Sequence, residues 1–152
     1  MNLSEHVTYN EATVSYTAKR KGIVNIPTED QMWNMIKLCG AIFEPLREWV
    51  GGPIKINSFF RSEELNKAIG GSSRSQHCDG CAIDIDDVYG YKTNKEMFNY
   101  IKKHLDFDQL IWEFGDADNP DWVHVSYISG TKNRKKCLKA ERVDGKTVYS
   151  TI

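Results

Sequence analysis

Ser75-Gln76-His77-Cys78-Asp79-Gly80-Cys81-Ala82-Ile83-Asp84, followed downstream by Trp122-Val123-His124-Val125-Ser126, is the part of this chain whose reading decides both its fold and its chemistry. The two segments offer two imidazoles and a carboxylate, a donor set that holds a zinc ion while leaving one position open to water. Ala82 to Asp86 reads as a buried strand and Trp122 to Ile128 as another. Asp84 and His124 fall on these strands, and His77 lies in the loop just before the first. Gly80 lets the backbone turn sharply between His77 and Asp84, so both side chains can converge on one point. Alternation along the later strand puts Trp122, His124 and Ser126 on one face, from which His124 can meet that point across the sheet.

Working outward, Thr8-Tyr9-Asn10-Glu11 is a capping box that opens a short helix closed by Gly22. Thr28-Glu29-Asp30-Gln31 opens a longer helix. Its apolar positions, from Met32 through Met35, Ile36, Cys39, Ile42, Phe43 and Leu46 to Val50, recur at helical spacing. It is expected to bend at Pro45 and stop at Gly51-Gly52. Pro53 to Phe60 alternates as a strand does, and Ser62 to Ile69 reads as a short helix closed by Gly70-Gly71. Thr93-Asn94-Lys95-Glu96 caps a helix carrying Met97, Phe98, Ile101 and Leu105. Asp108 to Phe114 and Trp122 to Ile128 should pair antiparallel across the polar turn Gly115 to Asp121. A last hairpin, Cys137 to Arg142 and Thr147 to Ile152, is signalled by Asp144-Gly145. Helices come first and strands collect later, so the fold class is α+β, with residues 1-152 forming one domain.

At 152 residues and 40% hydrophobic, the chain can bury a real core. A net charge of -1 gives no basic field for nucleic acid, and Lys132, Arg134, Lys135 and Lys136 read as a solvated run. No apolar stretch approaches membrane-spanning length. The beginning of the sequence lacks the basic and apolar regions of a signal peptide. Four cysteines are too few and too scattered for a disulfide scaffold. Cys78 and Cys81 read as small packing residues beside the metal site, and a structural zinc site with either thiol as fourth ligand is the competing reading.

Ser75-x-His77-x-x-Gly80-x-Ala82-x-Asp84 with Trp122-Val123-His124-Val125-Ser126 resembles the zinc D-alanyl-D-alanine carboxypeptidases, the M15 peptidases that trim peptidoglycan stem peptides. Leu3-Ser4-Glu5-His6 and Ala18-x-Arg20-x-Gly22-Ile23-x-Asn25 resemble the subgroup found in phage and bacterial genomes. So do Ser58-Phe59-Phe60-Arg61-Ser62, Asn66, Gly70-Gly71 and Gln109-Leu110-Ile111-Trp112-Glu113. The resemblance implies N-terminal helices packed on a small antiparallel sheet, as in the Hedgehog signalling domain. It further implies one zinc ion on His77, Asp84 and His124, and cleavage of a stem-peptide bond by carboxypeptidase or endolysin-type endopeptidase action. The partner implied is peptidoglycan, and the chain is expected to act as a monomer. A chain without an export signal suits an endolysin that waits in the cytoplasm for a holin, or a protein delivered in a virion.

Two carboxylates compete for the role of general base. Asp121 matches the spacing at which better-known family members place an acidic residue before the last histidine, yet strict alternation sets it on the face opposite His124. Glu113, at the end of the neighbouring strand, can reach across the pair and is placed first. Arg61 is the candidate for gripping a substrate carboxylate or an oxyanion, because a guanidinium forks onto two oxygens. Ser75 and Gln76 are candidates for orienting ligands or substrate, and Asp86 for supporting the metal ligands from behind. A zinc-binding recognition domain without catalysis is the rival from another functional class, and the acidic residues at 113 and 121 argue against it.

Overall fold

A computed structural model describes residues 1–152. The chain opens with a hairpin that the sequence reading did not include, β1 (Asn2–Ser4) and β2 (Val7–Thr8), and passes into α1 (Tyr9–Thr13) and α2 (Tyr16–Lys21). Thr8 and Glu11 form the expected capping box, each backbone N–H donating to the other's side chain. The single helix expected from here to Gly22 is broken. Val14 is extended, and Ser15 starts a second helix by accepting from the Ala18 N–H. β-branched and hydroxyl side chains favour such a break. Gly22 closes α2 in the left-handed conformation.

Next come α3 (Glu29–Leu38) and α4 (Glu44–Val50), joined through one wide π-helical turn over Cys39–Phe43. In that turn the Glu44 N–H reaches back to the Cys39 carbonyl. The expected disturbance at Pro45 therefore lies in the preceding turn. A proline ring crowds the carbonyl four residues back, here that of Ala41, and widening the turn around Ala41 relieves the clash without ending the helix.

The remaining elements are β3 (Lys55–Ser58), α5 (Glu63–Ala68), β4 (Ala82–Asp86), α6 (Asn94–His104), β5 (Gln109–Glu113), β6 (Trp122–Ser126), β7 (Lys136–Val143) and β8 (Lys146–Thr151). They build one sheet in the order β3-β4-β6-β5-β7-β8. Its pairs are antiparallel except β5 with β7, which is parallel. β6 already occupies one edge of β5, so the chain crosses to the other edge before β7. The Lys135 N–H on the Phe107 carbonyl and the Lys136 N–H on the Asp108 carbonyl set β7 alongside β5. At the last turn, Asp144 and Gly145 both take positive φ, as a two-residue hairpin turn demands.

One face of the sheet is the floor of the main core. Ile83, Ile85, Leu110, Trp112, Val123 and Val125 pack there with Met35, Leu38, Ile42 and Leu46 from the α3–α4 rod and Met97, Phe98 and Ile101 from α6. Fully burying each Ile or Leu contributes about 1.5–3 kcal/mol. A one-residue slip of β4 would exchange Ile83 and Ile85 for Asp84, so the core itself fixes the register. That register sends Asp84, His124 and Glu113 to the opposite face, where only a small apolar cluster of Ile111, Leu138 and Ala140, backed by Phe114, covers the sheet. No helix is long and apolar enough to cross a membrane.

Candidate metal centre

Asp84 on β4 pairs with His124 on β6, and His124 pairs with Ile111 on β5. Cross-strand partners share a face, so Asp84 and His124 stand side by side above the cluster of Ile111 and Leu138. His77 arrives from a single 3-10 turn, Gln76–Asp79, capped by Ser75, whose hydroxyl accepts from the His77 N–H. Gly80 ends that turn at φ 74, and a Cβ there would lie 2.5 Å from the Gln31 carbonyl oxygen. Only glycine allows the turn to dock this closely on α3, where Gln31 and Asn34 donate to the Cys78 and Asp79 carbonyls.

One donor atom from each of His77, Asp84 and His124 lies within 4.8 Å of the other two. His77 Nε2 is 3.3 Å from Asp84 Oδ2, and His124 Nδ1 is 2.9 Å from Asp84 Oδ1. His77 Nδ1 donates to the Phe59 carbonyl at 2.7 Å, which assigns the tautomer with a bare lone pair on Nε2. That Nε2 is buried and has no hydrogen-bond partner. A buried acceptor left unpaired, one oxygen away from an ionised carboxylate and beside a second imidazole, fits a divalent cation. Burial holds His77 below the usual imidazole value, so it is the neutral ligand form. Burial works to raise Asp84, but the two imidazoles beside it, His124 through a hydrogen bond, outweigh it and hold the carboxyl well below the usual carboxylate range.

These groups open into a cavity of about 610 Å³ that also receives Arg61, Ser75, Gln76, Glu113, Trp122 and Tyr149. Glu113 pairs with Trp122 on β6 and so shares the face of His124. It is only 7% exposed. Burial pushes its carboxyl up to about 7, with His124 and Arg61 opposing the rise and Asp84 adding to it. Phe114, immediately after it, takes the left-handed φ of 56 and lays its ring edge-on to Trp122 at 5.4 Å. Asp121, the other candidate base, is exposed and does not line this cavity; it lines a neighbouring depression with Lys139 and Glu141 that shares Phe114, Trp122 and Arg142 with the cavity. The Asp121 backbone N–H bonds the Glu113 carbonyl.

Arg61 is held by its neighbours. Asn25 donates to the Phe60 carbonyl and accepts from the Ser62 N–H, while the Arg61 N–H bonds the His77 carbonyl. The segment Phe59 to Ser62 thus clamps His77 and presents Arg61 to the same cavity. Its Nε is buried and unpaired, and no carboxylate lies within ion-pair distance, neither Glu63 nor Glu64 included. A Cβ at Gly71 would run into Asn66, whose Oδ1 would lie 2.0 Å away, and would also stand 3.2 Å from Arg61 Nη1.

Two expectations change, those for Gln76 and Asp86. Arg134 is exposed like the rest of its run, yet it also grips the fully buried Asp108 through two bonds of 2.8 and 2.9 Å, and Gln76 donates to the same carboxylate at 2.8 Å. Gln76 is therefore tethered toward Asp108. Asp86 does not back up the metal ligands, because its carboxylate accepts from the Asn94 side chain and the Asp87 N–H. Cys78 and Cys81 are free, no sulfur joins the three clustered donors, and burial raises both thiols above their ordinary value, away from the thiolate a metal would need.

A buried carboxylate between two imidazoles, facing a cleft that also holds an unpaired guanidinium and a proton-retaining glutamate, defines an open mononuclear metal site of the hydrolytic kind. The peptidase M15 family model matches residues 5–126, and the chain belongs to that family of metallopeptidases, whose members are generally zinc-dependent. No curated protein matches the chain.

Proposed function

We propose that the protein hydrolyses a peptide bond in bacterial peptidoglycan stem peptides, as a carboxypeptidase or as an endopeptidase, with one zinc ion held by His77, Asp84 and His124. The observation that carries this reading is the meeting of that donor set with the buried Glu113 in one cavity. Zinc at this position supplies Lewis-acid polarisation of the scissile carbonyl and activation of water. Glu113 takes the proton of the attacking water and delivers it to the departing amine. A carboxyl that titrates near neutrality can do both. Glu113 is preferred to Asp121 as the base because Glu113 lines the cavity and Asp121 does not. Arg61 grips a substrate carboxylate, the role its unpaired guanidinium suits best.

The test is incubation of the purified protein with defined muropeptides, followed by mass spectrometry. Cleavage should appear with zinc, stop on chelation and return when zinc is restored. Intact muropeptides after prolonged incubation of zinc-loaded protein would overturn the reading in favour of a recognition domain.

Arg61 has its own expected signature. Arg61→Lys keeps the charge but loses the fork, and should lower kcat/KM by roughly tenfold on a peptide ending in a free carboxylate. On the same peptide amidated at its end, wild type and variant should differ little. Equal losses on both substrates would assign Arg61 another role.

A further inference from the structure

The hairpin of β7 and β8 lies outside the residues matched by the family model, yet it walls the metal cavity with Leu138, Arg142, Thr147 and Tyr149. The sheet register explains how Tyr149 arrives there. Glu113 on β5 pairs with Ala140 on β7, and Ala140 pairs with Tyr149 on β8. With Trp122 on the other side of Glu113, one row of side chains on the site face reads Trp122, Glu113, Ala140, Tyr149. Neighbouring strands stand about 4.8 Å apart, so β8 is about 10 Å from β5 and only a long side chain can bridge the gap. Ala140 is fully buried and presents a single methyl, which leaves the way across β7 open.

Tyr149 lines the cavity here while remaining 54% exposed. Burial raises the phenol above its ordinary value, and the negative charges of Glu113 and of Asp84, at the far side of the site, push in the same direction. No hydrogen bond contributes, so the hydroxyl is committed to no protein partner. Among the donors around the cavity, Gln76 and Arg134 are engaged on Asp108 and Arg142 lies over the Phe114 ring at 5.0 Å, whereas Tyr149 stands in the same cross-strand row as Glu113.

We propose that Tyr149 is a catalytic residue, the hydrogen-bond donor to the carbonyl oxygen of the scissile bond as that oxygen takes up negative charge. This rests on the peptidase reading above. In the step it serves, the water oxygen bonds to the carbonyl carbon and the π electron pair moves onto the carbonyl oxygen, while Glu113 receives the water proton. Tyr149 keeps its own proton and donates only a hydrogen bond. When the carbon–nitrogen bond breaks, the electron pair returns from the oxygen, and the proton on Glu113 passes to the amine.

The experiment compares wild type with Tyr149→Phe, both zinc-loaded and full-length. The ring is kept, so zinc content and thermal midpoint should not change. Removing a donor that acts on a developing oxyanion costs about 10²–10³ in kcat. A drop of that order should fall on kcat, with KM nearly unaltered. Calorimetry with a phosphinate analogue of D-alanyl-D-alanine, whose tetrahedral oxygens imitate the charged carbonyl, should show a comparable loss of affinity. Normal kcat in the variant, or a loss confined to KM, would overturn the proposal. If the wild type cleaves no muropeptide, the peptidase reading fails on that arm and the phosphinate arm still decides Tyr149. Equal phosphinate affinity in the two proteins, or none in the wild type, would then overturn it.

Discussion

Glu113→Gln should leave zinc bound, lower turnover by roughly a hundredfold or more, and at the same time make the metal-free protein more stable above neutral pH. The two effects have one cause. Glu113 is 7% exposed, and burial raises its carboxyl from 4.5 to about 7. The unfolded chain releases this proton near 4.5 and the folded chain only near 7, so the stabilisation is whole below the lower value and lost as pH climbs through the upper one. At 1.36 kcal/mol per pH unit the loss is on the order of 1–3 kcal/mol. Glutamine has no proton to lose and so should escape it. Urea melts in chelator should therefore show a variant close to wild type at pH 5 and more stable at pH 8. An equal difference at both pH values would mean that Glu113 is not held protonated by its surroundings. In the zinc-loaded enzyme, activity should rise with pH as Glu113 ionises, with an inflection below about 7 because a nearby cation favours the carboxylate. Asp121→Asn, outside the cavity, should stay near wild-type turnover.

Alternation along single strands was enough to place these groups. Asp84, His124 and Glu113 share a face because their neighbours Ile83, Ile85, Val123, Val125 and Trp112 are claimed by the core, and that claim is visible in the residue types. What could not be read locally depends on which strands become neighbours. Asp108 meets Arg134 and Gln76 across 26 and 32 positions, and nothing in the polar run from Lys132 to Lys136 distinguishes the one side chain that pairs with it. Tyr149 reaches the cavity only because β7 inserts parallel to β5 and carries alanine where the phenol must pass. A hairpin signal foretells the pairing of β7 with β8, but not the edge on which the hairpin lands. Asn25 is similar: its bonds to Phe60 and Ser62 hold Arg61 in place, and they exist only once the N-terminal helices have packed against that junction. Asp86 shows the converse error, since correct parity was no guide to a carboxylate already engaged by Asn94.

His124→Ala should abolish zinc binding and turnover while sparing the fold, and the contrast with His77 makes the expectation sharp. The His124 imidazole stands on the cavity face of β6, over Ile111 and beside Asp84, whereas Val123 and Val125 hold the strand to the core. Truncation removes one hydrogen bond to Asp84, a loss of about 1 kcal/mol, and opens no void in the main core. His77 is 1% exposed and ties the Phe59 carbonyl, so His77→Ala should weaken the apoprotein as well as the metal site. A ligand that binds only the folded state raises stability by RT ln(1 + [L]/Kd), and with two donors left this gain should vanish. Thermal melts with and without zinc, alongside metal analysis of the purified protein, separate the cases. Wild type should gain stability with zinc and carry one ion per chain. His124→Ala should melt near the apo wild type under both conditions and carry none. A variant that retained one zinc per chain with the wild-type shift in midpoint would show that the ion sits on other residues and that the convergence of His77, Asp84 and His124 serves another purpose.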